Sequence, residues 1–72
     1  MHISSKKFRK KIGNIIKNAR KENCINQNDL AEKVGISQSY ISKIERGQIP
    51  VDLEVWIKIT FAVKINHCQV LR

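Results

Sequence analysis

The sequence QNDLAEKVGISQSYISKIER, which runs from Gln27 to Arg46, decides the fold. Gly35 stands near its middle, where a chain that leaves one helix and turns sharply into the next needs a positive φ. Ala31 lies four residues earlier and is small enough to let the second helix cross close to the first. Apolar side chains at helical spacing lie on both sides of the glycine: Leu30, Val34, Ile36, Ile41 and Ile44. The stretch therefore predicts two short helices joined by a tight turn.

The second of these helices has a polar outer face. Ser39, Ser42, Lys43 and Arg46 fall on the side away from the apolar residues. Hydroxyl and amino groups on one side of a helix match the hydrogen-bonding groups that bases present in the major groove of DNA. We therefore expect this face to meet a DNA duplex.

The positive charge of the chain is concentrated at its N-terminal end. The 72 residues include 14 Lys and Arg against 6 Asp and Glu, which gives a formal net charge of +8. Residues 1–21 hold eight basic residues and no acid, whereas residues 22–72 hold six of each sign. This excess favours a partner rich in phosphates, either a nucleic acid or an anionic membrane surface.

The length predicts one small domain that is not an enzyme. A core of this size is worth about 3 to 5 kcal/mol, so the chain gains stability from dimerisation or from binding. No nucleophile, acid and base form a recognisable catalytic constellation. The spacing of His2, His67, Cys24 and Cys68 is not that of a metal site. We expect no metal, no cofactor and no small-molecule ligand.

The cysteines and the hydropathy predict a cytoplasmic protein, in a bacterium or in the host of a phage. Cys24 and Cys68 fit free thiols in a reducing compartment. The N-terminus lacks an apolar signal region, and the longest apolar stretch, Val55–Val63, is interrupted by Lys58. A signal peptide and a membrane span are both excluded by this pattern. A basic amphipathic peptide that folds only on anionic lipid is an alternative.

Local signals predict four or five helices and no strand. Ser4 or Ser5 caps the first helix, which carries an apolar stripe with lysines opposite: Phe8, Ile12, Ile15, Ile16 and Ala19 against Lys6, Lys10, Lys17 and Lys21. Caps at Asn26, Ser37 and Asp52 open the next three helices, and Gly35 and Gly47 end the second and third. We expect Trp56 to be the main core anchor of the fourth helix, and a last turn to begin at Asn66.

The segments LAEKVGIS and YISKIERG, preceded by IKNARKENCINQ, resemble the Cro and phage-repressor type of helix-turn-helix domain, the XRE family. The resemblance spans residues 8–65, with a basic N-terminal arm at 1–7 and a short C-terminal helix or tail at 66–72. It implies an all-α, compact phage-repressor-like domain of four to five helices. Three positions depart from the family pattern: Pro50 is one residue early, Phe61 replaces a polar residue, and Lys64 replaces a glycine.

The resemblance also implies roles for single residues. The family glutamine that opens the second helix contacts a DNA phosphate and braces a glutamine in the third, positions held here by Gln27 and Gln38. The family ion pair between the first and third helices matches Arg20 and Glu45. We expect base contacts from Gln38, Ser39, Ser42 and Lys43. We expect phosphate contacts from Asn26, Gln27, Arg46 and Gln48.

These features together predict a sequence-specific transcriptional regulator. The expected form is a homodimer that represses from a near-palindromic operator, since one helix reads too few bases to select a site. An antitoxin or adaptor that works through a protein partner, such as a toxin or second regulator, is an alternative because Phe61, Val70 and Leu71 are apolar residues that such a partner would cover. A restriction-modification controller protein is another, which the sequence does not distinguish from a phage or plasmid repressor.

Overall fold

The computed structural model describes residues 5–64, which form four α-helices. Their bounds are α1 Lys6–Glu22, α2 Gln27–Val34, α3 Gln38–Glu45 and α4 Leu53–Val63. The all-α prediction is confirmed. Lys6 and Lys7, assigned from the sequence to the basic arm, lie in the first turn of α1. The predicted last turn from Asn66, with Val70 and Leu71, lies outside the described residues.

Each helix begins at a capping side chain that the sequence identified. The side chain of each capping residue accepts a hydrogen bond from a backbone N–H in the first turn, at 2.8 to 3.2 Å. These capping residues are Ser5, Asn26, Ser37 and Asp52. The first N–H groups of a helix have no acceptor within the helix, and the capping side chain supplies one. The caps therefore fix where each helix starts.

The core is built from aliphatic side chains of all four helices. Its fully buried members are Ile16, Leu30, Ile41, Ile44, Ile59 and Val63. The prediction that Trp56 anchors α4 is wrong, because Trp56 is only half-buried. Ile59 and Val63, at 0 and 1 % exposure, hold α4 to the other helices instead. Ile36, predicted to lock α2 to α3, packs at the margin of this core.

Two glycines shape the packing of the helices: Gly35 forms the turn between α2 and α3, and Gly13 allows α1 to approach α3 closely. Gly35 ends α2 with a φ of +82°, as predicted. Gly13 lies where α1 crosses α3, and a Cβ placed on it would stand 2.5 Å from the carbonyl oxygens of Ile44 and Glu45. Only a residue without a side chain permits that approach, so Gly13 sets the distance between α1 and α3.

Two properties of the described segment bear on the sequence predictions about compartment. Cys24 is a free, exposed cysteine, and Cys68 lies outside the described residues. None of the helices within residues 5–64 is both long enough and apolar enough to cross a membrane.

Candidate nucleic-acid interface

The helix α3 is divided lengthwise into a buried and an exposed side. Ile41 and Ile44 are buried at 0 and 1 % exposure. The residues predicted to contact bases lie on the other side, within an arc of about 140° at 100° per residue. Among these four residues Gln38, Ser39 and Lys43 are exposed, and Ser42 is half-buried. The exposed arc of α3 therefore offers an amide, two hydroxyls and an amino group to a partner.

The start of α3 is fixed by the turn before it. Gly35 donates its N–H to the Ala31 carbonyl oxygen at 2.8 Å, and Ile36 donates to the same oxygen at 3.0 Å. Ser37 then accepts from the Tyr40 N–H at 3.1 Å. Three consecutive residues thus provide partners for one of the last carbonyls of α2 and one of the first N–H groups of α3. Gln38 consequently occupies the first turn of a helix whose direction is set by the core.

A buried ion pair ties the far end of α3 to α1. Arg20 donates from Nε to Glu45 Oε2 at 2.8 Å and from Nη2 to Glu45 Oε1 at 3.1 Å. The two side chains are 10 and 3 % exposed. A third guanidinium bond reaches the Ile25 carbonyl at 2.9 Å. The paired N–H groups match the two carboxylate oxygens, which is the geometry that makes arginine pairs specific. The structure thus brings Arg20 and Glu45 together as the resemblance implied.

Gln27 takes part in the same network rather than in the one expected. Its side-chain amide donates to Glu45 Oε1 at 3.0 Å. The brace between Gln27 and Gln38 that the resemblance implied is absent from the described hydrogen bonds, in which the Gln27 amide donates to the charged Glu45 carboxylate instead. Glu45 therefore joins the end of α1, the start of α2 and the end of α3 through one carboxylate.

The remaining residues predicted to contact phosphates lie at two ends of the motif. Asn26 is exposed and caps α2, where its side-chain oxygen accepts from the Asp29 N–H at 2.8 Å. Arg46 and Gln48 are exposed and lie just beyond α3, where Arg46 Nη2 donates to Gln48 Oε1 at 3.3 Å. The backbone N–H of Gln48 donates to the Lys43 carbonyl at 3.0 Å, which holds this loop against α3.

Three supporting contacts were not predicted from the sequence. Arg9 Nε donates to the Gly47 carbonyl at 3.2 Å and attaches α1 to the loop after α3. Asn23 Nδ2 donates to the Val63 carbonyl at 3.0 Å and joins the end of α1 to the end of α4. The third contact is the close approach of α1 to α3 at Gly13. Of the three, only this one has a local signal in the sequence, because a glycine inside an amphipathic helix often marks a close backbone approach.

Comparison with known proteins places this geometry in a family. The model of a helix-turn-helix family matches residues 16–60, which include α2, the Gly35 turn and α3. The chain belongs to the helix-turn-helix family. The resemblance to Cro and phage-repressor domains that the sequence indicated is thereby confirmed.

Individual relatives of this helix-turn-helix protein come from a phage and from bacteria. The ImmF control region 10 kDa protein of Bacillus phage phi105 is 32 % identical over 57 residues. This match covers 79 % of the chain and 63 % of the phage protein, so the chain spans less than two thirds of that relative.

Solved structures of regulators share the fold. The clp gene regulator ClgR from Corynebacterium glutamicum superposes with a TM-score of 0.82 at 26 % identity, over 89 % of this chain and 68 % of ClgR. The restriction-modification controller protein C.AhdI from Aeromonas hydrophila gives 0.78 at 29 % identity, over 86 % of this chain and 94 % of C.AhdI. The arrangement of all four helices, and not the motif alone, is therefore shared with these proteins.

Proposed function

We propose that this protein is a sequence-specific transcriptional regulator that inserts α3 into the major groove of duplex DNA. The observation that carries the proposal is the exposed polar arc of α3, on a helix whose opposite side is fully buried. A helix held in this way has a fixed direction, so its side chains meet base edges in a defined register. The regulator would act where the DNA lies, in the cytoplasm of a bacterium or of the host of a phage.

The side chains on the arc suit particular bases. Gln38, in the first turn, can present its amide to adenine N6 and N7 together, a contact worth about 1 to 3 kcal/mol of discrimination. Lys43 can donate to guanine O6 and N7, and Ser39 and Ser42 to several bases. Asn26, Gln27, Arg46 and Gln48 would contact phosphates on either side. Because Gln27 already donates to Glu45, its side chain would reach a phosphate with the second amide hydrogen.

The experiment that tests this proposal compares two alanine variants on the duplex that the native protein selects. Gln38→Ala should weaken binding to that duplex about 5- to 150-fold for each half-site that Gln38 contacts, and leave binding to unrelated DNA unchanged. Lys33→Ala is the control, because Lys33 is an exposed lysine in the last turn of α2, away from the arc. Equal affinities of Gln38→Ala and Lys33→Ala for the selected duplex would refute base reading by α3.

We propose further that the regulator works as a homodimer on a near-palindromic operator and represses by excluding polymerase. An apolar stripe on α4 supports a protein contact: Leu53, Ile57 and Phe61 recur every four residues and are 70, 43 and 80 % exposed. Two copies related by a two-fold axis would present two α3 helices about 34 Å apart. Sedimentation should give a dimer at micromolar concentration, and Phe61→Ser should give a monomer. A native protein that stays monomeric with and without operator would contradict the homodimer.

The α4 stripe also favours a second candidate, an antitoxin or adaptor that binds a toxin or another regulator. Exposed apolar side chains in a row commonly mark protein contacts. Under this alternative, alanine at both Gln38 and Lys43 leaves partner binding intact. The likeness to C.AhdI favours a restriction-modification controller as a variant of the main proposal, and expression of a neighbouring restriction gene under control of this protein would distinguish it.

A further inference from the structure

One side of α1 carries a row of four exposed lysines, which we call the lysine row: Lys6, Lys10, Lys17 and Lys21. They fall within about 60° of helix circumference and span about 22 Å, at 100° and 1.5 Å per residue. Glu22, the last residue, is the only acid in the sequence of α1. The core lies on other sides of the helix, at Ile12, Ile16 and Ala19. Within residues 5–64 none of these four lysines forms an ion pair with an acid, so the row is a strip of positive charge on one side of α1.

One end of the lysine row adjoins the loop that follows α3. A Cβ placed on Gly47 would stand 2.7 Å from Lys10 Cγ and 2.9 Å from Lys10 Cα, so the two backbones touch. The neighbouring Arg9 donates to the Gly47 carbonyl. Arg46 and Gln48, which we propose as phosphate contacts, flank this glycine. The row thus borders on the proposed phosphate contacts that follow α3.

The other end of the lysine row adjoins the start of α2. Lys17 and Lys21 are exposed and lie within one turn of Arg20 along α1. Arg20 donates to the Ile25 carbonyl at 2.9 Å. The chain enters α2 immediately after Ile25, and Gln27 shares Glu45 with Arg20. Both groups of proposed phosphate contacts, before α2 and after α3, therefore border on the same row.

We infer that the lysine row is a further DNA-contacting surface, which lies along the sugar-phosphate backbone beside the groove that receives α3. This inference rests on the proposed function. Lysine contacts with phosphates release counterions and depend on charge rather than on sequence. The row raises affinity and salt dependence without altering which bases are preferred, because its side chains do not belong to the α3 arc.

The test measures the salt dependence of binding to the duplex that the native chain selects. Log K against log salt concentration changes slope by about 0.9 for each phosphate contact that is lost. Replacing the lysine row by glutamine should therefore reduce the slope by about 3 to 4 for each bound protomer. The control variant replaces four exposed lysines elsewhere by glutamine and has the same net charge: Lys7, Lys33, Lys58 and Lys64.

A lower slope for the row variant, with the native slope for the control, supports the inference. Equal slopes in the two variants overturn it, because net charge alone then accounts for binding. If the fourfold substitution perturbs the fold, the double variant Lys17→Gln and Lys21→Gln, remote from the Gly47 contact, replaces it; its slope should fall by about 2 for each bound protomer. If the native protein selects no duplex, the proposed function fails; if it binds but the row variant keeps its slope, only this inference fails. Binding to phosphatidylserine vesicles instead of DNA also overturns it.

Discussion

Replacement of Glu45 by alanine should unfold a large fraction of the domain. Glu45 is 6 % exposed and accepts hydrogen bonds from both Arg20 and Gln27. Arg20 is also buried, with 10 % of its side chain exposed. Alanine at position 45 leaves the Arg20 guanidinium with the Ile25 carbonyl as its acceptor among the described residues. An isolated charge in such a position costs about 3 to 5 kcal/mol. A domain this small is stabilised by about as much in total.

Thermal unfolding followed by circular dichroism measures the loss. Each kcal/mol shifts the midpoint by about 4 to 8 °C in a domain of this size, so the midpoint should fall by at least about 12 °C. Glu54→Ala is the control, because it removes the exposed pair with Lys58, whose side chains are 75 and 52 % exposed. That change should cost less than about 0.5 kcal/mol.

Two outcomes test whether loss of Glu45 destabilises the domain through the unpaired Arg20 charge. The double variant Arg20→Met and Glu45→Leu removes both charges, so it should recover much of the stability that Glu45→Ala loses. A Glu45→Ala protein with native helicity and a midpoint within a few degrees of the Glu54→Ala protein would refute the reasoning. Loss of DNA binding by Glu45→Ala should accordingly follow loss of fold.

Three further substitutions test the helix contacts and turns. Gly13→Ala should cost about 1 to 3 kcal/mol in urea unfolding, because the new Cβ would lie 2.5 Å from the Ile44 and Glu45 carbonyls; a native urea midpoint would show that the crossing relaxes freely. Ser37→Ala should cost about 1 kcal/mol through loss of the α3 cap, and unchanged stability would exclude that role. Gly35→Ala should cost about 1 to 2 kcal/mol from its φ of +82° alone, since open space surrounds the Cβ position; an Ala variant as stable as the native chain would contradict this strain.

Features set by neighbouring residues were predictable from the sequence. The caps Asn26, Ser37 and Asp52 act within three residues of themselves, and Gly35 acts on the chain that it joins. The apolar spacing around Gly35 likewise predicted which side of α3 is buried. Local chemistry and one hydrophobic period therefore suffice for the motif and for its exposed arc.

Features that depend on distant contacts were not predictable from local patterns, and the Arg20–Glu45 pair, 25 positions apart, was expected only from the family resemblance. The helix α4 has apolar residues on most of its circumference, so its spacing does not decide which side packs inward. The structure buries Ile59 and Val63, and leaves Trp56 half-buried and Phe61 80 % exposed. The hydrogen bond from Gln27 to Glu45 joins residues 18 positions apart, which no local pattern encodes.

Selection of binding sites from a pool of random duplexes tests the central claim most directly. The native protein is used at about 150 mM salt, because purely electrostatic binding is weak there. We predict enrichment of paired half-sites whose centres lie about one helical turn apart, 10 to 10.5 base pairs. A folded protein that enriches no motif would contradict the claim that α3 reads DNA sequence.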